Sequence, residues 1–374
     1  MIDPAGIGAA PTRWASIVGA RPQFVKVAPI CRALEEAPGG RGIDHVVVHT
    51  GQHYDAEMSA VFFADLGIPA PLVNLGVGSG SHGAQTGEIL ARLETVLLEY
   101  RPDWVIVYGD TNSTLAGAVA AAKIPEVRLA HVEAGLRSFN RSMPEEVNRI
   151  AADHLSHLLL CPTPTAMSNL RREGLESRAV LVGDVMFDSF LAARVAAERQ
   201  QGGVASRWPD GGFALASIHR QENTDNRARL HEILQGLEEI AESICPVILP
   251  LHPRTRRVLE EERWTNSRLG VTAPLSYHEM LLLVTRARMI LTDSGGVQKE
   301  AYFARRPCIT LRDETEWIET LEHGCNVLVG ADRRRIVEAA RATAEQLKWT
   351  AVYGDGHAGR AVIDAILAAS TQGR

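Results

Sequence analysis

Residues 131–150 read HVEAGLRSFNRSMPEEVNRI, and they gather three carboxylates (Glu133, Glu145, Glu146) and three arginines (Arg137, Arg141, Arg149). Carboxylates beside cations make up a site that moves protons next to an anionic group. The same residues also fit a plainer pattern. Ser142-Met143-Pro144-Glu145 has the form of a capping box. Glu145–Arg149 and Arg149–Asp153 stand at i,i+4 spacing, as surface ion pairs do. The helix that follows is then predicted to bury Val147, Ile150, Ala151, His154 and Leu155. Glu133 resists the plain reading. It sits between the apolar run VRLAHV and a glycine turn, where an unpartnered carboxylate is costly.

Four other stretches leave an apolar run and enter a helical one, and each carries polar groups at the junction. TDSGGVQKE (292–300) places Ser294, Gly295 and Gly296 at a helix start. Backbone N–H groups there form an anion site, and glycine lets a phosphate approach. Glu300, farther along that helix, is placed to accept hydrogen bonds from ribose hydroxyls. The alternative is an ordinary capped turn. VGARPQFVK (18–26) sets Arg21 and Lys26 beside a helix-starting Pro22. Cations oppose the dipole there, so a bound anion or full solvation is required. YGDTNST (108–114) puts Asp110 at a strand end, where Asp110, Thr111 or Ser113 can cap the next helix, or Asp110 can act in chemistry. ASIHRQEN (216–223) places His219 and Arg220 in the equivalent position.

These junctions must be positioned by alternating strands and helices. Apolar runs predict strands near 14–19, 44–50, 104–108, 127–132, 157–161 and 179–182. A second set falls near 213–218, 246–250, 288–292, 307–311 and 326–329. Runs such as HVVVHT and WVIVYG are apolar throughout, as buried parallel strands are. Helical periodicity fills the gaps, so the fold class is α/β with parallel sheets. So many strands divide best into two Rossmann-like, doubly wound domains facing a cleft, residues 1–187 and 188–354. The Gly-rich stretch after residue 190 forms part of the link. The final helix, within 355–374, has one apolar face (Ala361, Ile363, Ile366, Leu367) and must dock on a domain.

Composition narrows the function classes. The 374 residues are 45% hydrophobic and 22% charged, with net charge −6. That balance lacks the basic footprint of a nucleic-acid binder. No apolar run reaches the ~18 residues of a membrane span, and MIDPAGIGAAPTRW lacks the features of a signal peptide. Five scattered cysteines without a CxxC pair point to a reduced, cytoplasmic protein. His45, His49, His53 and His252 follow no metal-ligand spacing, so no metal site is expected. GVGSGSHG (76–83) contains GxGxxG, but no acidic residue ends a strand about 20 residues on, so it reads as a loop and no nicotinamide cofactor is expected. Neither a GxSxG elbow nor a phosphate-binding GxxxxGK[ST] loop is present.

In order along the chain, GARPQFVKVAP, HTGQHYDAEM, YGDTNSTLAG, HVEAGLRS, MPEEVNR, VGDVMFDS, IHRQEN, LHPRT, TDSGGVQKEA and LRDETEW resemble the non-hydrolysing UDP-N-acetylglucosamine 2-epimerases. The resemblance spans roughly 14–371. It implies a glycosyltransferase-B-like architecture in which the last helix packs back on the first domain. It implies catalytic roles for Asp110, Glu133, Glu145 and His219. Arg21, Lys26 and His219 would contact the diphosphate, Ser294, Gly295 and Gly296 would hold phosphate, Glu300 the ribose, and Arg312 a further part of the substrate. The implied activity interconverts UDP-GlcNAc and UDP-ManNAc through loss of UDP to 2-acetamidoglucal. No cofactor is implied. The partner is the UDP-sugar, with neither nucleic acid nor membrane, and members are commonly homodimers.

Departures bear on the sugar. Trp317 stands where the family usually has arginine, and Leu275 and Met280 replace the usual Gln and Phe. With FNRSMPEE, these features are similar to the branch acting on UDP-2,3-diacetamido-2,3-dideoxyglucuronate. A glycosyltransferase of the same architecture is a further alternative, as are a hydrolysing relative and a silent nucleotide-sugar sensor. Gln52 and Gln85 match a second substrate site of some members. Asp55, Ala84 and Gln221 depart from it, so substrate activation is expected to be weak or absent.

Overall fold

The computed structural model describes residues 12–36, 42–52, 63, 66–199, 207–262, 264–265, 268–342 and 347–372. The chain divides into two compact units, Met1–Ser189 with Val352–Arg374, and Phe190–Ala351.

In the first unit the order is β1 (Thr12–Val18), α1 (Arg21–Glu35), β2 (Ile43–His49), β3 (Val73–Asn74), α2 (His82–Tyr100), β4 (Trp104–Tyr108) and α3 (Asn112–Ala122). It continues with β5 (Arg128–Val132), α4 (Pro144–Leu155), β6 (Leu158–Cys161), α5 (Pro164–Arg172), β7 (Ala179–Leu181) and the start of α6 (Val185–Arg199), which continues past Ser189. The strands form one sheet in the order β3-β2-β1-β4-β5-β6-β7. Every ladder is parallel, with β1 paired to β2 on one side and β4 on the other. Inward side chains Ala15, Ile17, Val105, Val107 and Leu129 pack under Leu93, Leu97, Ala118 and Ala152.

In the second unit β8 (Ala214–Ser217) is followed by α7 (Arg227–Ser243), β9 (Val247–Pro250), α8 (Pro253–Glu261), β10 (Gly270–Thr272), α9 (Tyr277–Arg286) and β11 (Met289–Thr292). Then come α10 (Gly295–Phe303), β12 (Cys308–Thr310), β13 (Asn326–Leu328) and α11 (Arg333–Arg341). The sheet runs β10-β9-β8-β11-β12-β13, again parallel. Its larger core packs Leu230, Ile233, Leu234, Leu237 and Ile336 onto Ala214, Leu249 and Leu291.

Two strands, β3 and β10, have no counterpart in the sequence reading. They are two and three residues long and sit at sheet edges. Such short pieces are formed by their neighbour's ladder and leave no periodicity of their own. Part of the Gly-rich link, 200–206, lies outside the described residues. In both sheets the order reverses at one place, between β1 and β4 and between β8 and β11. The crevice at the carboxyl ends of strands flanking such a reversal is where open α/β sheets bind ligands.

The last helix, α12 (Ala358–Gln372), lies against α1, close enough that a Cβ at Gly359 would stand 2.7 Å from the Pro29 carbonyl oxygen. Asp188 of α6 accepts hydrogen bonds from the Ala358 and Gly359 amides at 3.1 and 2.8 Å, capping the helix from a distant part of the chain. Trp104 Nε1 donates to Ser370 Oγ (2.9 Å) and Arg128 donates to the Ala369 carbonyl (3.0 Å), which fixes the far end. Asp188→Ala should cost about 1–2 kcal/mol in urea unfolding, the usual loss of a cap, and speed amide exchange over 358–372. Unchanged exchange there would mean that packing on α1 alone orders the helix.

Candidate active site

In the first unit, five of the sequence-predicted residues follow strand carboxyl ends or open the next helix. Arg21 begins α1 after β1 and is exposed. Lys26, one turn on, is buried. Its ammonium pairs with Glu133 Oε2, so neither solvation nor an external anion is needed to hold it. Glu133 follows β5 in the left-handed region (φ 72°). A non-glycine residue held there costs about 1–3 kcal/mol. The bend lets the Glu133 and Ala134 amides both donate to the Leu160 carbonyl (3.0 and 3.1 Å) and turns the carboxylate toward Lys26. Gly109, after β4, makes the room. A Cβ there would lie 2.6 Å from Lys26 Nζ and 3.1 Å from Glu133 Oε2.

Asp110 comes next and does not cap α3. Thr111 does so, accepting from the Thr114 amide. That leaves the Asp110 carboxylate, about a quarter exposed, to pair with Arg149. Asn148 Nδ2 donates to the Asp110 carbonyl (2.9 Å).

Helix α4 contradicts its predicted orientation. Glu146, Asn148, Arg149, Ala152 and Asp153 are buried, whereas Val147 is 49% and Leu155 36% exposed. The expected capping box is absent, because Met143 occupies the N-cap position and Ser142 Oγ donates to Asn140 Oδ1 instead (2.6 Å). The expected surface pairs are replaced by buried ones. Arg149 bridges Glu146 (2.8 Å) and Asp110. Glu146 also receives the Ser138 and Phe139 amides, each at 2.9 Å, and so straps down the loop before the helix. Asp153 faces His131 and Arg137, each at 2.7 Å. Burial by itself would raise the Asp153 carboxyl, but the hydrogen bond from His131 and the charge of Arg137 outweigh it and hold it below the usual carboxylate range. Removing one member of such a buried pair leaves an uncompensated charge, at a cost of about 3–5 kcal/mol. A polar face is therefore what this helix must bury. Glu145 alone among these carboxylates has no hydrogen-bonded partner among the described residues, and it is half-buried in the first turn.

Gln52 and Gln85 are occupied internally. Gln52 Oε1 accepts from the Ser113 amide and hydroxyl (3.1 and 2.7 Å), and Gln85 bonds the Gln52 and Gly78 carbonyls and Asn112. Asp55 lies outside the described residues.

In the second unit, His219 follows β8 and Ser294 follows β11, the two strands flanking the reversal. Asp293, which sequence reasoning passed over, joins them. Fully buried, it accepts from the His219 amide (3.1 Å), the Arg220 amide (3.0 Å) and Asn223 Nδ2 (3.1 Å). His219 Nδ1 lies 3.5 Å from the same carboxylate, and its ring is 40% exposed. Ser294 Oγ caps α10 through the Val297 amide (3.4 Å). The capped turn is the observed feature, and the opening amides, Gly295 and Gly296, have no acceptor within the helix, as at any helix start. A Cβ at Gly295 would lie 2.7 Å from Glu316 Oε1 and 3.2 Å from Trp317 Nε1. Arg312, fully buried, donates to Glu316 (3.1 Å), and its Nε has no partner among the described residues. Glu300 is buried on α10. Trp317 is buried too, with Lys299 Nζ 3.8 Å from its ring centroid. Leu275 and Met280 pack against the apolar cluster around Phe213 and Leu215. Among the described residues no group of three His, Cys, Asp or Glu side chains is placed to hold a metal ion.

Residues 33–367 match the family model described as UDP-N-acetylglucosamine 2-epimerase. The chain is 51% identical over 337 residues to the UDP-2,3-diacetamido-2,3-dideoxy-D-glucuronate 2-epimerase of Pseudomonas aeruginosa, covering 87% of this chain and 90% of that one. It is 43% identical over 358 residues to the UDP-N-acetylglucosamine 2-epimerase of Methanocaldococcus jannaschii, covering 93% and 96%. The crystal structure of the M. jannaschii enzyme in complex with UDP-GlcNAc and UDP superposes with TM-score 0.88 at 41% identity, covering 96% of this chain and 100% of that one. A glycosyltransferase of Streptomyces nogalater shares the fold alone, at TM-score 0.57 and 15% identity. With two parallel α/β sheets that each place polar residues at the point of reversal, and a family match along most of its length, the chain belongs to the UDP-N-acetylglucosamine 2-epimerase family.

Proposed function

We propose that this enzyme interconverts UDP-N-acetylglucosamine and UDP-N-acetylmannosamine by elimination and re-addition of UDP. One observation carries the reading: Glu133 is bent into a strained conformation beside buried Lys26, and Asp110 stands in the turn after the neighbouring strand. The C2 proton of an N-acetylhexosamine is not adjacent to a carbonyl and is a poor acid. Its removal by a carboxylate is coupled to departure of the diphosphate from C1. The C2–H electron pair becomes the C1=C2 bond of 2-acetamidoglucal, and the C1–O pair leaves with UDP. UDP then adds back to C1 as C2 takes a proton on the opposite face. Asp110, Glu133 and Glu145 supply proton transfer. Of the three, Glu145 carries no ion pair among the described residues, so its carboxylate is not committed to a protein partner there. Arg21, Lys26 and His219 stabilise the diphosphate as it leaves. The amides of Gly295 and Gly296, with Ser294, bind phosphate at the α10 terminus, Arg312 supports the site, and Glu300 holds the ribose. No step requires a cofactor, and the setting is cytoplasmic.

A second reading concerns the sugar. The 51% identical relative acts on a 2,3-diacetamido uronate, and Trp317 stands where arginine is usual, which favours such a substrate for this chain. A homodimer is also proposed. Helix α3 has no charged residue and lies between α2 and α4. Its outward Leu115, Val119 and Ala122, with Ala91 and Leu98 of α2 and Val147 of α4, leave an apolar face suited to a second copy. Sedimentation should show a single dimeric species, and Val119→Arg should convert it to monomer. A wild-type monomer would remove this assignment.

Proton NMR in D2O tests the chemistry. UDP-GlcNAc should gain deuterium at C2 as UDP-ManNAc appears. If only the 2,3-diacetamido uronate exchanges, the second reading holds. Release of UDP with free sugar would indicate a hydrolase, and exchange of neither substrate would reject epimerisation of both. Asp110→Asn, Glu133→Gln and Glu145→Gln should each lower turnover about 100-fold or more and leave UDP affinity unchanged. Loss of UDP binding in all three would make them structural. Glu300→Ala should weaken UDP binding about tenfold, the value of one good hydrogen bond, and unchanged affinity would move the ribose elsewhere.

A further inference from the structure

The catalytic proposal leaves Asp153 without a role, yet it is fully buried and accepts three hydrogen bonds from outside its own helix. Its two oxygens reach in different directions. Oδ1 meets His131 Nδ1 at 2.7 Å, and His131 Nε2 meets the Gly109 carbonyl at 2.7 Å. Both ring nitrogens face oxygens, so the ring is held at both ends. Gly109 is the residue before Asp110, at φ 61°. This arm therefore ends on the turn after β4. Oδ2 accepts from the Gly135 amide at 3.1 Å and from Arg137 at 2.7 Å. Gly135, at φ 83°, lies two residues after Glu133, and a Cβ there would meet the Ala166 carbonyl oxygen at 2.5 Å. That arm ends on the turn after β5. Asp153 and His131 are both fully buried.

We infer that Asp153 is a positioning residue whose single carboxylate sets the Asp110 turn and the Glu133 turn against each other, with His131 as the link to the first. The inference rests on the proposed roles of Asp110 and Glu133. The second turn holds Glu133, a non-glycine residue, in the costly left-handed region, and glycines at 109 and 135 leave both turns conformationally permissive. A rigid common anchor is what keeps two proton-transfer groups from neighbouring strands in fixed relation, and a displacement of about 1 Å there is worth about 100-fold in rate. The plainer view is that the group only secures α4 to the sheet. The two views part at Glu173. It completes the group by a paired contact with Arg137 (2.7 Å to each oxygen) but touches neither turn.

The experiment compares Asp153→Asn, His131→Phe and Glu173→Gln. Hydrogen–deuterium exchange of the intact protein, read over 108–112 and 133–135, reports the turns without requiring activity. Asp153→Asn should loosen both segments, His131→Phe the first alone, and Glu173→Gln neither. C2 exchange kinetics in D2O should show kcat lowered about 100-fold in Asp153→Asn with KM within about threefold, and Glu173→Gln near wild type. Protected turns in both Asp153→Asn and His131→Phe would overturn the inference. So would a Glu173→Gln enzyme as slow as Asp153→Asn, since the group would then be merely structural. If Asp153→Asn fails to fold, His131→Phe still decides the first arm. A wild-type enzyme inert toward both sugars would defeat the proposed function, and the exchange data would judge the anchor independently.

Discussion

A carboxylate buried at the carboxyl end of a parallel strand is tolerated only when its oxygens are met by donors. Both units are organised by that requirement. In the second, Asp293 gathers the amides of His219 and Arg220 with the side chain of Asn223, and so joins the ends of β8 and β11. In the first, Asp153 and Glu146 do the same for the turns and loop around Asp110 and Glu133. Each carboxylate replaces lost hydration with backbone donors, and in doing so fixes backbone that would otherwise be free to move.

Strain and space follow from the same arrangement. Glu133 adopts a left-handed conformation because its amide and that of Ala134 share one carbonyl of β6. Gly109 must lack a Cβ because the Lys26–Glu133 pair fills the volume where one would stand. Gly295 is held to glycine in a comparable way by Glu316 and Trp317. These glycines serve close approach of side chains as much as backbone freedom. The conformational cost is localised where chemistry is proposed, and the parallel sheets beneath carry it on buried central strands.

Much of this was legible in the sequence. Long apolar strands, helix-start residues and the ordered motifs specify parallel sheets and the candidate residues at strand ends. Edge strands β3 and β10 were not legible, because two or three residues carry no period. Helix α4 misled for a different reason. Its apolar stripe fits burial as well as any, but the polar groups of His131, Arg137 and Asp110 required partners, and only the opposite face of the helix supplies them.

The sequence by itself determined which residues stand at strand ends, since local periodicity and turn chemistry act over a few neighbours. It also determined the family, through motifs that recur in order along the chain. The tertiary structure decided which charge meets which. Pairs such as Lys26–Glu133 and Arg149–Asp110 join residues 107 and 39 positions apart. Their choice depends on which strands lie side by side and which oxygens are removed from water, and neither is encoded in local spacing.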